Sequence, residues 1–394
     1  MTLSSNEIRN TDRSGIHMRD LSRVLFIDNK MGKLLLFFLV LVLCTSGTLQ
    51  KEGKRTRVRN SPQVAVPRIL KGDPITQAPN STHSPAALQS LSNIALVYLH
   101  GSLSTQVIPI IYMLVLIVGI PANISILCLL STKIRKVSSA ILYSSLAVSD
   151  LFLLLSLFFK AHYHLHGNHW VLGEAACRVV TACFYGNLYC SAMTLACISI
   201  KRYLAIVYPF MYKSMPKRTC TACVSLAVWG VFGAAVIPEL IVQQTYWLPQ
   251  LNITTCHDVL PLNHSSHLFL TYYNLILTIL GLLVPLVVTV VCFVRIIHEL
   301  KQSHGDWAMY IKASSLVFAI FLVCFVPAGV LHFLHFVQQS VNGTESLYGY
   351  FNVAVCLCCL HACLDPFLFL LMSTSAGSKF HFMTFKGHTL SISI

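Results

Sequence analysis

The segment Ala140–Phe159 has the sequence AILYSSLAVSDLFLLLSLFF. It can cross the hydrocarbon core of a bilayer, which takes about 20 mainly apolar residues in a helix, although it contains the acidic Asp150. Because lipid offers no partner to a free backbone group, such a segment is expected to be helical. Six further segments are also long and apolar: Val107–Leu130, Arg178–Val207, Cys220–Val242, Leu268–Ile297, Ala308–Phe336 and Leu347–Met372. The sequence therefore predicts an all-α membrane protein, a bundle of seven transmembrane helices.

Composition and charge give this bundle an orientation. Of 394 residues, 55% are hydrophobic and 11% charged, which excludes a disordered chain or an ordinary soluble protein. The net charge is +14, and alternate connections are basic, with Lys133, Arg135 and Lys136 after the first segment, Lys213, Lys217 and Arg218 after the third, and Arg295, Lys301 and Lys312 after the fifth. The positive-inside rule places these connections in the cytosol, the N-terminus outside and the C-terminus inside. The charge thus indicates contact with anionic membrane lipid and not with nucleic acid.

Glycosylation motifs agree with this orientation. Four Asn-x-Ser/Thr motifs fall in segments that the topology places outside, at Asn80, Asn252, Asn263 and Asn342. Another match, at Asn123, lies inside the first span, where no glycan is expected. The sequence predicts a glycosylated, multi-pass protein of the plasma membrane.

The residues before the first span are predicted to be a leader and an external tail. The apolar run Leu34–Leu43 is too short to span, follows Met31-Gly-Lys and precedes small residues, which is typical of a signal peptide cleaved near Gly47. Met31 is an alternative start to Met1. The tail that follows is rich in Pro, Ser, Gln and Asn, and is expected to be disordered. The predicted organisation is residues 1–47, leader; 48–106, external tail; 107–372, membrane domain; and 373–394, cytoplasmic tail.

Two of the fifteen cysteines stand apart from the rest, which mostly lie inside spans. Cys177 begins the third span and Cys256 lies in the long outer connection before the fifth. Both are on the oxidising side of the membrane, where a disulfide between them would hold that connection over the bundle.

Polar residues inside the spans carry a family resemblance. They are Asn123, Leu146-Ala147-Val148-Ser149-Asp150, Lys201-Arg202-Tyr203, Trp229, Pro285, Cys324-Phe325-Val326-Pro327 and Asp365-Pro366. This set, in this order, resembles the rhodopsin-like G-protein-coupled receptors. The resemblance implies a heterotrimeric G protein as partner, with Lys201, Arg202 and Tyr203 at its interface. A transporter is disfavoured because no internal repeat is visible, and an enzyme because no His-Glu-x-x-His or nucleophile-elbow motif is present.

A finer resemblance lies in the outer connection and in span seven. The connection contains Ile253-Thr254-Thr255-Cys256-His257-Asp258-Val259-Leu260, and the last span ends in Cys363-Leu364-Asp365-Pro366-Phe367-Leu368-Phe369. Both are similar to the proteinase-activated (thrombin-type) receptors. That family implies activation by an extracellular serine protease, which cuts the tail and frees a tethered peptide agonist.

The tail contains a sequence suited to this role. Val64-Ala65-Val66-Pro67-Arg68 precedes Ile69-Leu70-Lys71-Gly72-Asp73-Pro74, and Arg68 fits a trypsin-like specificity pocket. Cleavage between Arg68 and Ile69 would create a cationic α-amino group. Asp258, beside His257, is the expected contact of that amine or of Lys71; the alternative is a solvated loop acid.

Two departures from the family leave the protease open. The predicted ligand begins with Ile69 where relatives commonly have a small residue, and no Asp or Glu lies between Ile75 and Gln106 to dock the basic exosite of thrombin. Either a thrombin-like or a trypsin-like enzyme therefore fits. The basic run Lys54–Arg59 is another protease target, and a cut there would spare the ligand.

The resemblance also implies a sodium ion and a switch inside the bundle. Asp150, Ser191 and Asp365 occupy the positions that surround sodium in related receptors, and Phe325 belongs to the switch. Two buried carboxylates cannot both stay charged and unpaired, so a cation or a proton is expected. His361, one helical turn before Asp365, would compete with sodium if protonated; a neutral, hydrogen-bonded histidine is the alternative. No catalytic residue and no other cofactor is expected.

The inner end departs from the family. Lys201 replaces the usual acid before Arg202, and Phe293 and Phe369 replace tyrosines. The sequence predicts weak or absent autonomous G-protein signalling. The rival function is a non-signalling protease-docking partner in a hetero-oligomer with another proteinase-activated receptor. Four histidines, His162, His164, His166 and His169, cluster in the predicted first outer loop. In an extended strand the first three would share one face, and imidazole groups arranged so would suit zinc or proton sensing.

Overall fold

The computed structural model describes residues 70–72, 88, 91–131, 138–261, 265–302, 308–342 and 345–371. Residue contacts divide the chain into Met1–Ser61 and Pro62–Ile394, and the first of these units lies wholly outside the described residues. The predicted leader, the Arg68–Ile69 pair, Asn80, Asn263 and the cytoplasmic tail also lie outside them.

Within the described ranges, seven helices are long and apolar enough to cross a membrane, which confirms the predicted bundle. We number them as spans 1 to 7: Asn93–Ser131, Ser139–Leu165, Gly173–Val207, Lys217–Ile241, Tyr272–Lys301, Tyr310–Gln338 and Tyr348–Leu371. A short helix, Pro209–Ser214, follows span 3. Span 1 begins further out than Val107, because Asn93–His100 is already helical with Ser92 as its N-cap. Ser92 Oγ accepts the N–H of Ala95, which satisfies one free donor of the first turn.

Three spans contain a π-helical turn, and each turn precedes a proline. The turns are Leu103–Val107, Ile279–Leu283 and Phe321–Phe325. In each, the N–H of the residue just before the proline donates to the carbonyl five residues back. A proline has no N–H for the regular ladder and crowds the carbonyl four residues back, so a wider turn relieves the clash. Pro121 and Pro238 lie inside helices without such a turn.

These turns divide the helices of spans 1, 5 and 6. Span 1 continues as Ile108–Ser131. The helices Ser265–Thr278 and Val284–Gln302 flank the turn of span 5, and Ala308–Ile320 and Val326–Asn342 flank that of span 6. Span 7 begins with the helix Tyr348–Cys359.

Polar residues face the interior of the bundle and apolar residues face outward. Asn123 is buried, and its side chain donates to the carbonyls of Gly119 and Ala362, which ties span 1 to span 7. At the periphery, Ile117 is 66% and Leu226 72% exposed. This distribution suits a lipid surround, because apolar groups are stable there while an unpaired polar group is costly.

In the part of the chain that the structure describes, four short strands cover one end of the bundle, which we name the outer end. β2, Thr245–Leu248, and β3, Ile253–Cys256, form an antiparallel hairpin with Thr245 opposite Cys256. β1, Leu70–Gly72, pairs in parallel with β4, Val259–Pro261. The prediction of an all-helical membrane domain held for the spans, while this layer of strands came only with the structure.

Candidate functional site

The predicted ligand segment and the outer connection meet at the outer end. In β1 and β4, Leu70 lies opposite Val259, Lys71 opposite Leu260 and Gly72 opposite Pro261. The N–H of Leu70 donates to the carbonyl of Asp258 over 2.7 Å. Leu70 and Val259 are both fully buried. The structure therefore brings the predicted ligand segment next to the backbone of Asp258, the residue that the sequence predicted to contact the new amine or Lys71.

The carboxylate of Asp258 is buried and bridges two spans. Its Oδ2 accepts the hydroxyl of Tyr163 in span 2 over 2.7 Å, and its Oδ1 accepts the hydroxyl of Tyr348 in span 7 over 2.9 Å. Lys160, buried in span 2, interacts electrostatically with this carboxylate. Asp258 is thus a structural junction and not a solvated loop acid. Sequence analysis missed the two tyrosines, because nothing in their local pattern marks them.

His257 belongs to a second buried network at the outer end. Its Nδ1 donates to the side-chain oxygen of Gln244, whose amide donates to Glu239 in span 4. Asn274 in span 5 donates to the other oxygen of Glu239 over 3.0 Å. The backbone of His257 has a φ of 68°, a conformation that is uncommon for a residue other than glycine. This network links the outer connection to spans 4 and 5, and also escaped the sequence analysis.

The outer hairpin is fixed to span 3 at two points. The predicted disulfide between Cys177 and Cys256 is present. Glu174 accepts the backbone N–H groups of Gln244 and Thr245, the hydroxyl of Thr245 and the side chain of Arg178. Burial, followed by the nearby charge of Glu174, raises the pKa of Tyr246 above its usual range, so this hydroxyl stays neutral.

The predicted sodium residues converge in the middle of the bundle. Ser191 Oγ donates to Asp150 Oδ1 over 3.2 Å, and His361 Nε2 lies 3.5 Å from the same oxygen. Ligand atoms of Asp150, His361 and Asp365 lie within 4.8 Å of one another, and all three side chains are buried. Phe325, the predicted switch residue, packs its ring 4.9 Å from that of His361.

Several polar atoms of this cluster have no hydrogen-bond partner among the described residues. They are Asp150 Oδ2, both carboxylate oxygens of Asp365 and His361 Nε2. His361 Nδ1 donates to the carbonyl of Cys358, which leaves Nε2 directed at the carboxylates. Buried carboxylate oxygens without donors fit a cation, so these residues suit the sodium ion that the resemblance implied.

At the inner end, the two adjacent basic residues of span 3 bond to different partners. Arg202 is buried, and its Nη2 donates to the hydroxyl of Tyr143 over 2.8 Å. Lys201 instead donates to the hydroxyls of Ser138 and Thr221. Among the residues that the structure describes, Arg202 has no acidic partner, and its Nε and Nη1 donate no hydrogen bond. The third residue of the motif, Tyr203, packs on Tyr208 at 5.6 Å between ring centroids.

The two phenylalanines that replace tyrosines make ring contacts. Phe293 stacks on Phe318 at 4.7 Å, with the rings nearly parallel. Phe369 packs edge-on against Tyr143 at 5.9 Å, next to the contact of Tyr143 with Arg202. The inner end is therefore closed by ring packing at these positions, without the hydroxyl groups that tyrosines would supply.

The histidine cluster begins in a helix and not in an extended strand, so the shared face that a strand would give is not formed. His162 and His164 lie in the last turn of span 2, and His166 caps it. His164 is buried and contacts Asn168 Oδ1 over 2.7 Å, while the rings of His162 and His166 stack at 4.1 Å. His169 accepts the N–H of Thr254. A helix turns its side chains by about 100° per residue, so alternate residues point in different directions.

The predicted glycosylation sites are only partly described. Asn252 is exposed at the tip of the β2–β3 hairpin with a φ of 55°, which suits an accessible turn. Asn342 is the last residue of the helix Val326–Asn342, which extends beyond the end of span 6. Glycosylation at all four asparagines remains a prediction.

The geometry defines a class of protein, and comparison with known families gives the same class. Residues 122–369 match the model of the 7 transmembrane receptor (rhodopsin family). The chain belongs to this family, and it is a multi-pass protein of the plasma membrane, as predicted.

Relatives narrow the assignment. The chain is 42% identical to Proteinase-activated receptor 3 of Homo sapiens over 294 residues, which cover 75% of this chain and 79% of the relative. It is 43% identical to Proteinase-activated receptor 3 of Rattus norvegicus over 72% of this chain and 77% of the relative, and 34% identical to Proteinase-activated receptor 2 of Homo sapiens over 84% and 83%. The chain is a proteinase-activated receptor by family, and these relatives are receptors rather than enzymes.

Proposed function

We propose that a serine protease activates this receptor by cutting between Arg68 and Ile69, and that the new N-terminus acts as its tethered agonist. The pairing of β1 with β4 carries the proposal, because it seats the predicted ligand at the outer end of the bundle. Ile69 is covalently joined to Leu70, whose N–H already bonds the carbonyl of Asp258. A new α-amino group at Ile69 would therefore form next to a residue that contacts the backbone of Asp258, and it would bind the buried carboxylate of Asp258.

The chemistry of Asp258 suggests how the signal starts. The carboxylate holds hydroxyls from span 2 and span 7. An ammonium group is a stronger partner for a carboxylate than a neutral hydroxyl. Competition for Asp258 would loosen Tyr163 or Tyr348 and shift the outer ends of their spans. The enzyme is thrombin-like or trypsin-like, since Arg68 fits both.

The test compares receptors in cells that lack other members of the family. After protease treatment, mass spectrometry of the cell-bound fragment should find Ile69 as its N-terminus, and a calcium release weaker than that of a related receptor should follow. Arg68→Gln should abolish both results. Arg59→Gln is the matched control, since it removes an arginine of the other basic run and should change neither. A new N-terminus elsewhere, or a full response of the Arg68→Gln variant, would refute the proposal.

A second candidate function is that of a protease-docking partner for another proteinase-activated receptor. The inner end supports it, because Arg202 bonds only Tyr143 among the described residues and Phe293 and Phe369 carry no hydroxyl. Under this function, cleavage would occur without G-protein activation in cells that express this chain alone. Co-expression with a second receptor of the family would then speed cleavage of, or signalling by, that receptor.

A sodium ion is the proposed partner of the polar cluster inside the bundle. Asp150, Ser191 and Asp365 would hold it, and it would supply positive charge to carboxylates that otherwise repel each other. Loss of such an ion on activation would make the cluster sensitive to receptor state.

A further inference from the structure

We propose that the edge of β4 is a strand-addition site that the uncut chain already fills with its own agonist segment, Leu70–Gly72. Cleavage would then change the charge of a ligand that is already docked, and would not deliver the ligand to the site. The proposal deepens the proposed function, and it rests on that function only for the agonist role of the segment.

Backbone pairing supports docking of the uncut segment. The parallel register joins Leu70, Lys71 and Gly72 to the three residues of β4. Among the described residues the pairing begins at Leu70, and its hydrogen bond to the carbonyl of Asp258 is donated by an ordinary peptide N–H. Pro261, which has no N–H, ends the ladder. The pairing therefore needs no free amino group, and so no cut.

The burial of β1 against β4 supports the assignment of this edge as a peptide-binding surface. Leu70 and Val259 are fully buried, Leu260 is 1% exposed, and all three belong to the apolar core that continues into the bundle. Among the described strands, β1 is the partner of β4, whereas β2 and β3 pair with each other. If β1 withdrew, it would uncover apolar surface and an unpaired strand edge, which is the kind of surface that binds extended peptides.

The contacts of β1 at the edge of β4 define which peptides could replace it. A competing ligand must be an extended peptide with an aliphatic residue at the position of Leu70, since that side chain fills the buried place. The resident strand is on the same chain, so it competes at an effective concentration of order millimolar. A free peptide, or the freed N-terminus of a neighbouring receptor, would have to displace it. The uncut receptor is thereby shielded from activation in trans.

Hydrogen exchange of the purified, full-length Arg68→Gln receptor tests docking without any protease. We expect the amides of residues 70–72 to exchange roughly tenfold or more slowly than in Arg68→Gln/Leu70→Ser. Arg68→Gln/Leu88→Ser is the matched control. Leu88 is also a buried leucine of the tail, but its N–H bonds Trp247 in the hairpin and not β4. Unprotected amides in the Arg68→Gln receptor would overturn the proposal, whether or not the substituted receptors fold.

Binding of a labelled hexapeptide, Ile69–Pro74, gives the second readout. We expect it to bind Arg68→Gln/Leu70→Ser about tenfold more tightly than Arg68→Gln, the ratio expected for uncovering one buried leucine. The Leu88→Ser control should bind like Arg68→Gln. Equal affinity for the Leu70→Ser and Leu88→Ser receptors would refute a blocked edge. Neither readout requires a protease. The two experiments can therefore refute docking of the uncut segment without refuting cleavage at Arg68, and the reverse also holds.

Discussion

At the scale of single residues, Asp258 gains most from the structure. The sequence placed an acid in the outer connection near a predicted cationic ligand, and left a solvated acid as the alternative. The structure buries this carboxylate between Tyr163 and Tyr348 and bonds its backbone to Leu70. A buried carboxylate is a stronger partner for an ammonium than an exposed one, because little water screens the charge.

Asp258→Asn should weaken activation by the hexapeptide Ile69–Pro74. The amide keeps the shape and can still accept a hydroxyl, but it carries no charge for the ammonium. A hydrogen bond to a charged group contributes about 1.5–3 kcal/mol, so the half-maximal peptide concentration should rise roughly 10- to 100-fold. Concentration–response curves measure this. Tyr163→Phe, which removes one hydroxyl and no charge, should have a smaller effect; an unchanged response for Asp258→Asn would contradict the assignment.

Asp365→Asn should remove the sodium dependence of peptide binding. In the unsubstituted receptor, sodium is expected to lower peptide affinity, because the ion favours the resting arrangement of Asp150 and Asp365. Replacing one carboxylate removes a charged ligand and the repulsion that the ion relieves. Peptide titrations in sodium and in choline buffer measure the difference. If the ratio of the two affinities stayed as large as before substitution, the ion would have to lie elsewhere.

At the scale of elements, the prolines account for where the helices widen. Spans 5 and 6 each contain a π turn that ends two residues before a proline, Pro285 or Pro327. In span 6 the turn contains Cys324 and Phe325, so it also sets where the ring of Phe325 meets His361. The element type came from the length of the apolar run, but the wider turn depends on how the neighbouring helices accept it, since Pro121 and Pro238 produce none.

Pro327→Ala should stabilise the resting receptor and weaken its activation. Alanine supplies the N–H that proline lacks, and a regular turn gains about 1 kcal/mol from one hydrogen bond, which corresponds to a rise of about 2 °C in the thermal midpoint. A thermal melt in detergent and a peptide concentration–response curve measure both effects. Pro238→Ala, in a span without a π turn, is the control for stability without altered activation. A lower midpoint for Pro327→Ala alone would show that the π turn is stabilising.

At the scale of the whole molecule, the outer layer depends on one covalent link. The disulfide joins Cys177 at the start of span 3 to β3, which is followed at once by His257, Asp258 and β4. Glu174 adds hydrogen bonds to the first residues of β2. The edge of β4 is therefore held in position by the attachment of the outer layer to span 3, and not by the pairing of the short strands alone.

The double substitution Cys177→Ala/Cys256→Ala should disorder the outer layer. Removal of a native disulfide typically costs 2–5 kcal/mol, so about that loss is expected here. Surface expression should fall, and the surviving receptor should lose peptide binding before it loses its helical content. Flow cytometry and circular dichroism of purified receptor measure these. Cys183 is a half-buried free cysteine of the same span, and Cys183→Ala should leave surface expression and peptide binding unchanged. Equal losses from the two variants would show that the disulfide has no special role in the outer layer.

The sequence by itself determined the spans, their number and the family constellation. These follow from local properties, since about 20 apolar residues cross a bilayer whatever surrounds them, and a buried acid such as Asp150 must have a function or a partner. Asn123, Asp150 and Asp365 were identified in this way, and Ser191 through the family resemblance. The sequence around these residues does not show that Asn123 meets the carbonyl of Ala362, or that the ring of Phe325 meets that of His361.

Only the tertiary structure decided which residues meet. The pairing of Leu70–Gly72 with Val259–Pro261 joins segments almost two hundred residues apart in the chain, and a three-residue strand leaves no periodic pattern of its own. The bridge from Tyr163 through Asp258 to Tyr348 likewise joins two spans through a loop. Such contacts depend on how the helices pack and on the disulfide that holds the loop over them, so the sequence supplied the ligand and the bundle, and packing brought them together.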